Sequence, residues 1–507
     1  MQLQNSITLK DSHLPTNLSD RVLSLCAEAK EKADAGEFEA ARALLSDLWE
    51  RVGDRPRIEE LDNIARAEVL LRVGSLSGWI GSSRQIPGAQ EIAKDLLTES
   101  AALFEEIGLV ERVVEARIDL GICYWREGSV DEARITLDDA LMRLGGLDSE
   151  QKLRAILNKA IVEEVSNRPK AAFQLLQESA PMFEANGSHS LRGKFHNELA
   201  TVLKNLGLAD RREDYIDRAL VEYAAASFHF EEAGHRRFQG VVENNLGFLY
   251  VHLTRFEDAH EHLSRARLVA LSLKDAGLVA QFDDTRARAF LAQGQLKDAE
   301  RTAFGAVRAL QQGGQQSILA EALTTHGTAL ARLERNREAL NTLTRAIEVS
   351  ELGGDPERAA IAALTVVEEL KSSLPLPRLR QYYWRAESSL ACSQHPGIQL
   401  RLGECARRIL AAEVQSGNGN GSTLLQLNEP SLTEAISSCS LEDEVLRYEG
   451  GLIRRALETS GGSVTRAARL LGITHQGLAF ILNGRHKDLL SVRTPIKPRR
   501  RSIIRYR

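Results

Sequence analysis

The sequence has little proline, little cysteine and no long apolar run, and each shortage excludes a class of protein. Only 12 prolines occur in 507 residues, so few helices are forced to break. The five cysteines include no CxxC pair, which argues against a disulfide framework or a structural zinc site. No stretch holds the roughly 18 uncharged apolar residues of a membrane span, and no cationic leader precedes an apolar block. We therefore expect a cytoplasmic protein with no membrane contact.

Sequence motifs of catalysis are also missing. The segment GSHSLRGK at 187–194 lacks the spacing of a phosphate-binding loop, and Phe195 follows it in place of serine or threonine. The HExxH and GxSxG patterns do not occur. We expect no enzymatic activity, no catalytic residue, no metal site and no cofactor.

Charge is distributed unevenly along the chain. Residues 441–507 hold 14 lysines and arginines but only 6 aspartates and glutamates, whereas the whole chain has a net charge of −5. Such segregation favours a polyanionic partner at one end, although a basic segment can also serve only as a solubilising tail.

A repeat of about forty residues runs through the acidic part of the chain. Small residues recur at spacings of 39, 40, 47, 40 and 40, and an alanine follows twelve residues later in all units but one. Such spacing is typical of closely crossing antiparallel helices, whose hairpins must stack to bury their apolar faces. The small residues are Gly121, Ala160, Ala200, Gly247, Ala287 and Gly327, and the alanines are Ala133, Ala172, Ala219, Ala259, Ala299 and Ala339.

These units resemble the tetratricopeptide repeat. Leu120, Gly121, Tyr124, Gly128 and Ala133 match its consensus, although the period exceeds the usual ~34 residues. The resemblance implies an all-α, tetratricopeptide-like α-solenoid of roughly 40-residue helical hairpins. We expect a flexible segment at 1–19, the repeat array at 20–372, a helical cap of the array at 373–415 and a flexible linker at 416–440.

The tetratricopeptide resemblance also implies a concave groove, made by the first helix of each hairpin, that binds a peptide or protein partner. In the family, the groove position lies three residues before the small residue. An asparagine there can bond both the N–H and the C=O of an extended peptide, although it can equally be an ordinary solvated residue. The groove candidates are Asn197, Asn244, Lys194, Lys204 and Arg288.

The segment after the linker has the features of a helix-turn-helix. Two glycines end a first amphipathic helix, a second helix of about eight residues follows, and Gly472 permits a sharp turn into a third helix. This order resembles the Fis-type DNA-binding domain. The resemblance implies a small three-helix domain at 441–490, followed by a basic tail at 491–507, that binds double-stranded DNA. The matching residues are Gly461, Gly462, Ala467, Ala468, Leu471, Gly472, Ile473 and Leu478.

Helix geometry separates two sets of DNA-contacting candidates. The face of the third helix opposite its apolar side chains is suited to base edges, because glutamine and asparagine amides bond adenine in bidentate fashion. Cations and hydroxyls near the helix ends are suited to phosphates. The base-reading candidates are His475, Gln476, Ala479, Phe480 and Asn483. The phosphate candidates are Arg466, Arg469, Thr474, Arg485, Lys487, Arg499, Arg500 and Arg501.

The Fis resemblance further implies pairing through the first helix. We expect a homodimer through Leu446, Leu452, Ile453 and Leu457. The leading hypothesis is a transcriptional regulator whose array binds a peptide or protein and whose C-terminal domain binds an operator. The alternative is a tetratricopeptide scaffold or adaptor for protein assembly, whose basic end only anchors it non-specifically. The C-terminal helices would then form a capping or dimer module without DNA contact.

Overall fold

The computed structural model describes residues 18–146, 148–390, 393, 395–417, 449–450, 453–457, 459–460, 462–471, 475–487 and 489. These ranges contain helices and turns and no β-strand. The chain divides into two compact units, Met1–Gln415 and Ser416–Arg507. None of the described helices has both the length and the apolar character needed to cross a bilayer.

The first unit is an α-solenoid in which consecutive helices pair as hairpins. The hairpins are α1 (Leu18–Asp34) with α2 (Phe38–Leu44), α3 (Asn63–Arg84) with α4 (Ala89–Ile107), α5 (Val110–Glu127) with α6 (Val130–Leu144), α7 (Glu150–Val165) with α8 (Pro169–Asn186), α9 (His189–Asp210) with α10 (Glu213–Glu232), α11 (Arg236–His252) with α12 (Phe256–Ser272), α13 (Ala276–Ala292) with α14 (Leu296–Leu310), α15 (Gln316–Arg332) with α16 (Asn336–Leu352), and α17 (Pro356–Glu369) with α18 (Leu376–Leu390). A further helix, α19 (Pro396–Gly417), follows them.

The two helices of each repeat cross at the predicted small residues. The alanines at the second position, from Ala133 to Ala339, are all 0% exposed. A β-carbon added to Gly247 would lie 2.6 Å from Leu263, and one added to Gly327 would lie 2.6 Å from Leu343. Only a residue without a side chain fits there, so the repeat pattern is a packing requirement. The all-α, tetratricopeptide-like fold predicted from the sequence is confirmed.

Most hairpin bends contain a residue in the left-handed region of backbone space. The residue lies five positions before the buried alanine in most repeats, and its φ is +81° at Gly36 and +102° at Gly128. Asn167, Thr254 and Glu334 take the same conformation with φ of 56°, 58° and 62°. This requirement explains the consensus glycine of the repeat, because a side chain at positive φ is strained.

The helices of the first unit also contact helices five hairpins further along the chain. α3 packs against α13, and α5 packs against α15. Bends meet later loops in the same way: the Gln85 amide donates to Gln315 Oε1 at 2.7 Å, and a β-carbon on Gly353 would lie 2.7 Å from the Glu127 carbonyl oxygen. The solenoid therefore completes a superhelical turn, and its second turn packs on its first.

The boundary predicted between the array and its cap differs from the structure. The helix α18 pairs with α17 as an ordinary hairpin, so the boundary predicted at 372 cuts through a repeat, and only α19 follows the hairpins. Pro375 and Pro377 precede or begin α18, where proline is tolerated, and they do not end the array. The long spacing of 47 residues arises because α9 extends for 22 residues.

The second unit contains three short helical segments. Helical residues occur at 449–450, 453–457 and 459, and they precede α20 (Val464–Leu470) and α21 (His475–Gly484). Gly462, with φ of +79°, donates its N–H to the Leu457 carbonyl at 2.7 Å and so ends the first segment. Ser463 precedes α20, and its side chain makes no capping hydrogen bond.

A matched pair of glycine substitutions tests the helix crossing. Gly247→Ala should lower the melting temperature, because overpacking against Leu263 costs about 1–3 kcal/mol and exceeds the helix-propensity gain. Gly305→Ala should raise the melting temperature, because alanine in a helix is more stable than glycine by about 0.5–1 kcal/mol. No atom lies within 4 Å of the added β-carbon in α14, so nothing opposes this gain. Differential scanning calorimetry measures both; equal stabilisation by the two alanines would contradict a tight crossing.

Candidate functional site

The superhelix has two adjoining cavities on its inner face, and both are partly open to solvent. The first chamber has a volume of about 290 Å³ and is lined by side chains from every first helix between α1 and α15. The second chamber has a volume of about 310 Å³ and is lined mainly by α11, α13, α15 and α17. Trp125, Gln281 and Ile318 line both chambers, so the two spaces are neighbours.

The predicted groove residues lie on the inner face of the superhelix. Lys194 and Asn197 line the first chamber, and Asn244 and Arg288 line the second. Lys204 is 5% exposed, and its ammonium lies 5.0 Å from the centre of the Phe248 ring. Four of the five residues thus line the two cavities, and Lys204 lies beside Phe248 of the second one.

Charges in the second chamber balance one another. Arg288 contacts Asp284 at 2.7 Å and Glu321 at 2.5 Å, and Arg358 contacts Glu321 at 3.0 Å and Asp355 at 3.1 Å. Burial alone would raise the pKa of Glu321, but Arg288 and Arg358 lower it to about 2. The second chamber is therefore lined by two arginines and three carboxylates, each of which contacts a group of opposite charge.

Most cations of the first chamber are also paired. Arg72 contacts Glu115 at 2.6 Å, Arg154 contacts Asp119 at 3.0 Å, and Arg237 contacts Asp275 at 3.0 Å.

Arg126 and Lys194 differ, because neither forms an ion pair or a hydrogen bond with another described residue. The Arg126 guanidinium is 6% exposed and lies 3.8 Å from the centre of the Trp79 ring, and the Lys194 ammonium lies 5.0 Å from that of Phe238. Burial lowers the pKa of Arg126 to about 10 and that of Lys194 to about 8. The first chamber therefore holds two uncompensated cations.

Three further side chains of the first chamber have a buried polar atom without a hydrogen-bond partner among the described residues. These atoms are Trp125 Nε1, Glu198 Oε1 and His235 Nδ1. Burial, together with the neighbouring Glu164 carboxylate, raises the pKa of Glu198 to about 8. A buried polar atom without a partner is costly, so these three point to a surface built to meet another molecule.

The sequence did not single out Arg126, Trp79 or His235. The groove position taken from the family, three residues before Gly121, falls at Ile118, which is 0% exposed. The face of α5 that lines the first chamber instead follows the stripe Asp119, Ile122, Trp125 and Arg126. That stripe has helical spacing and contains one of the four tryptophans of the chain. A tryptophan at this spacing is the sequence signal that would have identified the lining face of α5.

The second unit presents exposed cations beside a small apolar core. Ala467 and Ala468, on α20, are 0% and 1% exposed, and they share that core with Leu478 and Leu482 of α21. Arg466, Arg469, Arg485 and Lys487 are exposed, as the phosphate candidates require. Arg485 contacts Glu449 at 3.1 Å, so this one cation is partly neutralised within the unit.

The base-reading face is described only in part. Ala479 is half-buried, while the side chains of His475, Gln476, Phe480 and Asn483 lie outside the described part of the structure. Thr474, Arg499, Arg500 and Arg501 also lie outside the described residues.

The predicted dimer interface requires a correction. Ile453 is 3% exposed and Leu457 is 0% exposed, and both belong to the core that the second unit forms with its own helices α20 and α21. A side chain buried within its own unit has no apolar surface left for a partner, so these two are core residues. Leu446 and Leu452 lie outside the described residues.

Comparison with known proteins supports the assignment of the C-terminal segment. Residues 447–479 match the Fis family of bacterial regulatory proteins, and this match includes α20 and the first half of α21. No curated protein sequence matches the chain.

Several solved structures are similar to the helical part of the chain. A Rap protein complexed with competence and sporulation factor is 14% identical, with coverage of 78% of this chain and 98% of its own and a TM-score of 0.47. Yeast Tom70 is 13% identical, with coverage of 82% and 85% and a TM-score of 0.42. A signal-transduction ATPase with a tetratricopeptide repeat sensor, from Pyrococcus horikoshii, is 13% identical, with coverage of 77% and 65% and a TM-score of 0.39.

The raised pKa of Glu198 predicts a pH-dependent stability. The folded chain retains a proton that the unfolded chain releases above its ordinary pKa of 4.5, so stability should fall as pH rises from about 4.5 to about 8. Glu198→Gln should remove this loss and exceed the wild type by at least ~1 kcal/mol at pH 8, since one pKa unit is worth about 1.4 kcal/mol. The difference should vanish below about pH 4.5.

Chemical denaturation of both proteins across this pH range provides the measurement. Glu231→Gln, at an exposed position of α10, is the control and should leave the pH dependence as in the wild type. A Glu198→Gln variant with the wild-type pH profile would show that this carboxyl group is ionised in the folded chain at neutral pH.

Proposed function

We propose that the protein is a DNA-binding transcriptional regulator, in which the C-terminal unit binds operator DNA and the repeat array receives a peptide or protein partner. The observation that carries the proposal is the Fis-family match at 447–479, which coincides with two short helices beside exposed arginines. DNA binding is the property that this domain type brings to a regulator. A regulator of this kind acts in the cytoplasm, where the chromosome of a bacterium lies.

The helix α21 is the proposed reading element. Gln476 is the second residue of the helix and Asn483 the ninth. The two positions are seven residues, or about two turns, apart and therefore share a face. Their amides are suited to adenine edges in the major groove. Ala479 lies between them and leaves room for a thymine methyl group. His475 and Phe480 border this face and complete the proposed base-reading set.

The exposed cations are proposed to bind phosphates. Arg466 and Arg469 lie on the exposed side of α20, the helix that crosses the DNA backbone in this type of domain. Thr474, Arg485 and Lys487 flank α21, and Arg499, Arg500 and Arg501 lie in the basic tail. Phosphate contacts fix the position of the protein on DNA without reading sequence.

A homodimer remains part of the proposal, with a smaller interface. Leu446 and Leu452 are the remaining predicted positions, and they lie outside the described residues. A two-fold dimer would present two copies of α21 about one DNA turn apart, roughly 34 Å, on a palindromic operator.

The partner of the array is proposed to enter the closed interior rather than lie along an open groove. Chambers of about 290 Å³ and 310 Å³ hold a short segment or a chain end but no folded domain. Lys194, Asn197, Asn244 and Arg288 line these chambers and are the proposed contacts. Lys204, buried beside them, supports Phe248 of the second chamber.

Genomic selection of DNA by the purified full chain tests operator binding. An operator should be preferred over random duplex by at least ~1,000-fold. Gln476→Ala and Asn483→Ala should each lose about 1–3 kcal/mol of discrimination, because they remove base contacts. Arg466→Ala and Arg469→Ala should weaken binding to every sequence and reduce the slope of affinity against salt by about one ion each.

A matched control separates this result from general charge loss. Arg301→Ala removes an arginine that is 81% exposed in the repeat array and should change neither affinity nor site choice. Salt-dependent binding of all duplexes with no preferred sequence would instead favour the alternative, a scaffold or adaptor that is anchored non-specifically.

A further inference from the structure

The first chamber places two cations where a protein seldom leaves them. A buried charge without a counterion costs several kcal/mol, so such groups are usually paired or removed. Arg126 is 6% exposed and Lys194 lines the same chamber, yet neither has an acidic partner among the described residues. The other arginines of the chamber show that the fold does supply partners, since each contacts a carboxylate at 3.0 Å or less.

The two unpaired cations belong to one electrostatic neighbourhood. Arg126 lies on α5 and Lys194 on α9. Burial lowers the pKa of each, and the negative charge of Asp119 partly offsets that lowering in both. Asp119 itself is committed to Arg154 at 3.0 Å and therefore neutralises neither of them. Because both cations line the first chamber, an anion that enters it meets a surface with two positive charges.

The walls around these cations are apolar and aromatic. The Trp79 ring stacks on Phe38 at 5.0 Å and contacts the Arg126 guanidinium at 3.8 Å. Phe238 lies beside Lys194, and Trp125 presents an unpartnered indole N–H. Such a surface combines an anion-binding end with flat rings that hold an apolar body.

We propose that the first chamber is a binding site for a small carboxylate ligand, held by Arg126 and Lys194 and covered by Trp79, Trp125 and Phe238. The inference rests on the proposed function in one respect: the carboxylate ligand is, or belongs to, the partner that the repeat array binds. A guanidinium binds a carboxylate in bidentate fashion, and an ammonium adds a second charge-assisted hydrogen bond. The chamber volume of about 290 Å³ limits the ligand to the size of a small organic acid or the end of a peptide.

A carboxylate has two possible sources, which the probes distinguish. We would titrate the full chain with 3-phenylpropionate, with N-acetyl-Leu-Phe bearing a free carboxylate, with the amide of that dipeptide, and with inorganic phosphate. Tryptophan fluorescence reports binding, because Trp79 and Trp125 line the chamber, and isothermal calorimetry gives the affinity.

We expect at least one carboxylate to bind and the dipeptide amide to bind at least about tenfold more weakly than the acid, since it lacks the charge. Binding of the dipeptide acid alone identifies a peptide terminus as the source, and binding of 3-phenylpropionate alone identifies a free acid. Equal binding of acid and amide, or tighter binding of phosphate, overturns the proposal. So does the absence of any response up to ~10 mM, where a ligand with a Kd of ~1 mM would saturate.

Variants connect the binding to the two cations. Arg126→Met and Lys194→Met should each weaken carboxylate binding about tenfold or more, because each removes a charge-assisted contact. Neither should lower the melting temperature of the ligand-free chain, because each also removes a charge that has no ionic partner among the described residues. Lys194→Arg should retain most of the binding. Arg301→Met, at the exposed ion pair with Asp298, is the control and should leave affinity unchanged.

A purely structural role for the two cations gives a different result. Arg126→Met and Lys194→Met would then lower the melting temperature and leave the affinity for the probes at the wild-type value, which overturns the proposal. Operator selection on the same preparations keeps the two proposals apart. Intact site choice without carboxylate binding removes only this inference, whereas carboxylate binding without site choice removes the regulator and keeps the ligand site.

Discussion

The close approach of two helices at small residues determines the rest of this structure. At Gly247 and Gly327 no side chain fits between the paired helices, and the alanines twelve residues later are fully buried. Each closely packed hairpin stacks on the next with a similar rotation, and repetition of that rotation bends the array into a superhelix. Because the bend brings α13 onto α3 and α15 onto α5, the inner face becomes concave and the side chains on it are partly shielded from water.

Desolvation then decides the chemistry of the interior. In the second chamber, arginines and carboxylates alternate and each charge has a partner. In the first chamber, Arg126 and Lys194 have none, and Trp125, Glu198 and His235 each leave one polar atom unbonded. A surface of this kind is less stable when empty than when occupied, so any molecule that satisfies these groups stabilises the folded array by mass action. Such a response to a ligand would need neither a hinge nor a lid.

The part of the fold that depends on local pattern could be predicted from the sequence. The hairpins, the crossing alanines and the order of the three C-terminal helices follow from spacing and turn residues that lie within one repeat. The interior could not be predicted, because it depends on contacts between residues far apart in sequence, such as Gln85 with Gln315. Arg117 and Arg126 look alike on α5, yet one contacts Asp139 at 2.6 Å and the other faces the first chamber.

The C-terminal unit shows a second limit of sequence reasoning. An apolar stripe on a helix predicts burial but does not say whether the covering surface belongs to the same chain or to a second copy. Ile453 and Leu457 were assigned to a dimer and are covered by the helices of their own unit. Arg466 and Arg469 are exposed, which phosphate contact requires, and their contact with DNA stays a prediction. The base-reading set stays a prediction.

The packing of the second superhelical turn on the first changes how the array can evolve and unfold. An open solenoid has only nearest-neighbour interfaces, so repeats can be added or deleted singly and can fray from either end. Here Gly353 fits against the backbone of Glu127, and Gly277 against that of Ser82, so each bend is matched to a particular later loop. Deletion or duplication of one hairpin would shift every such match by forty residues. Gene-level changes in repeat number are therefore disfavoured, and melting should spread across both turns as one cooperative event.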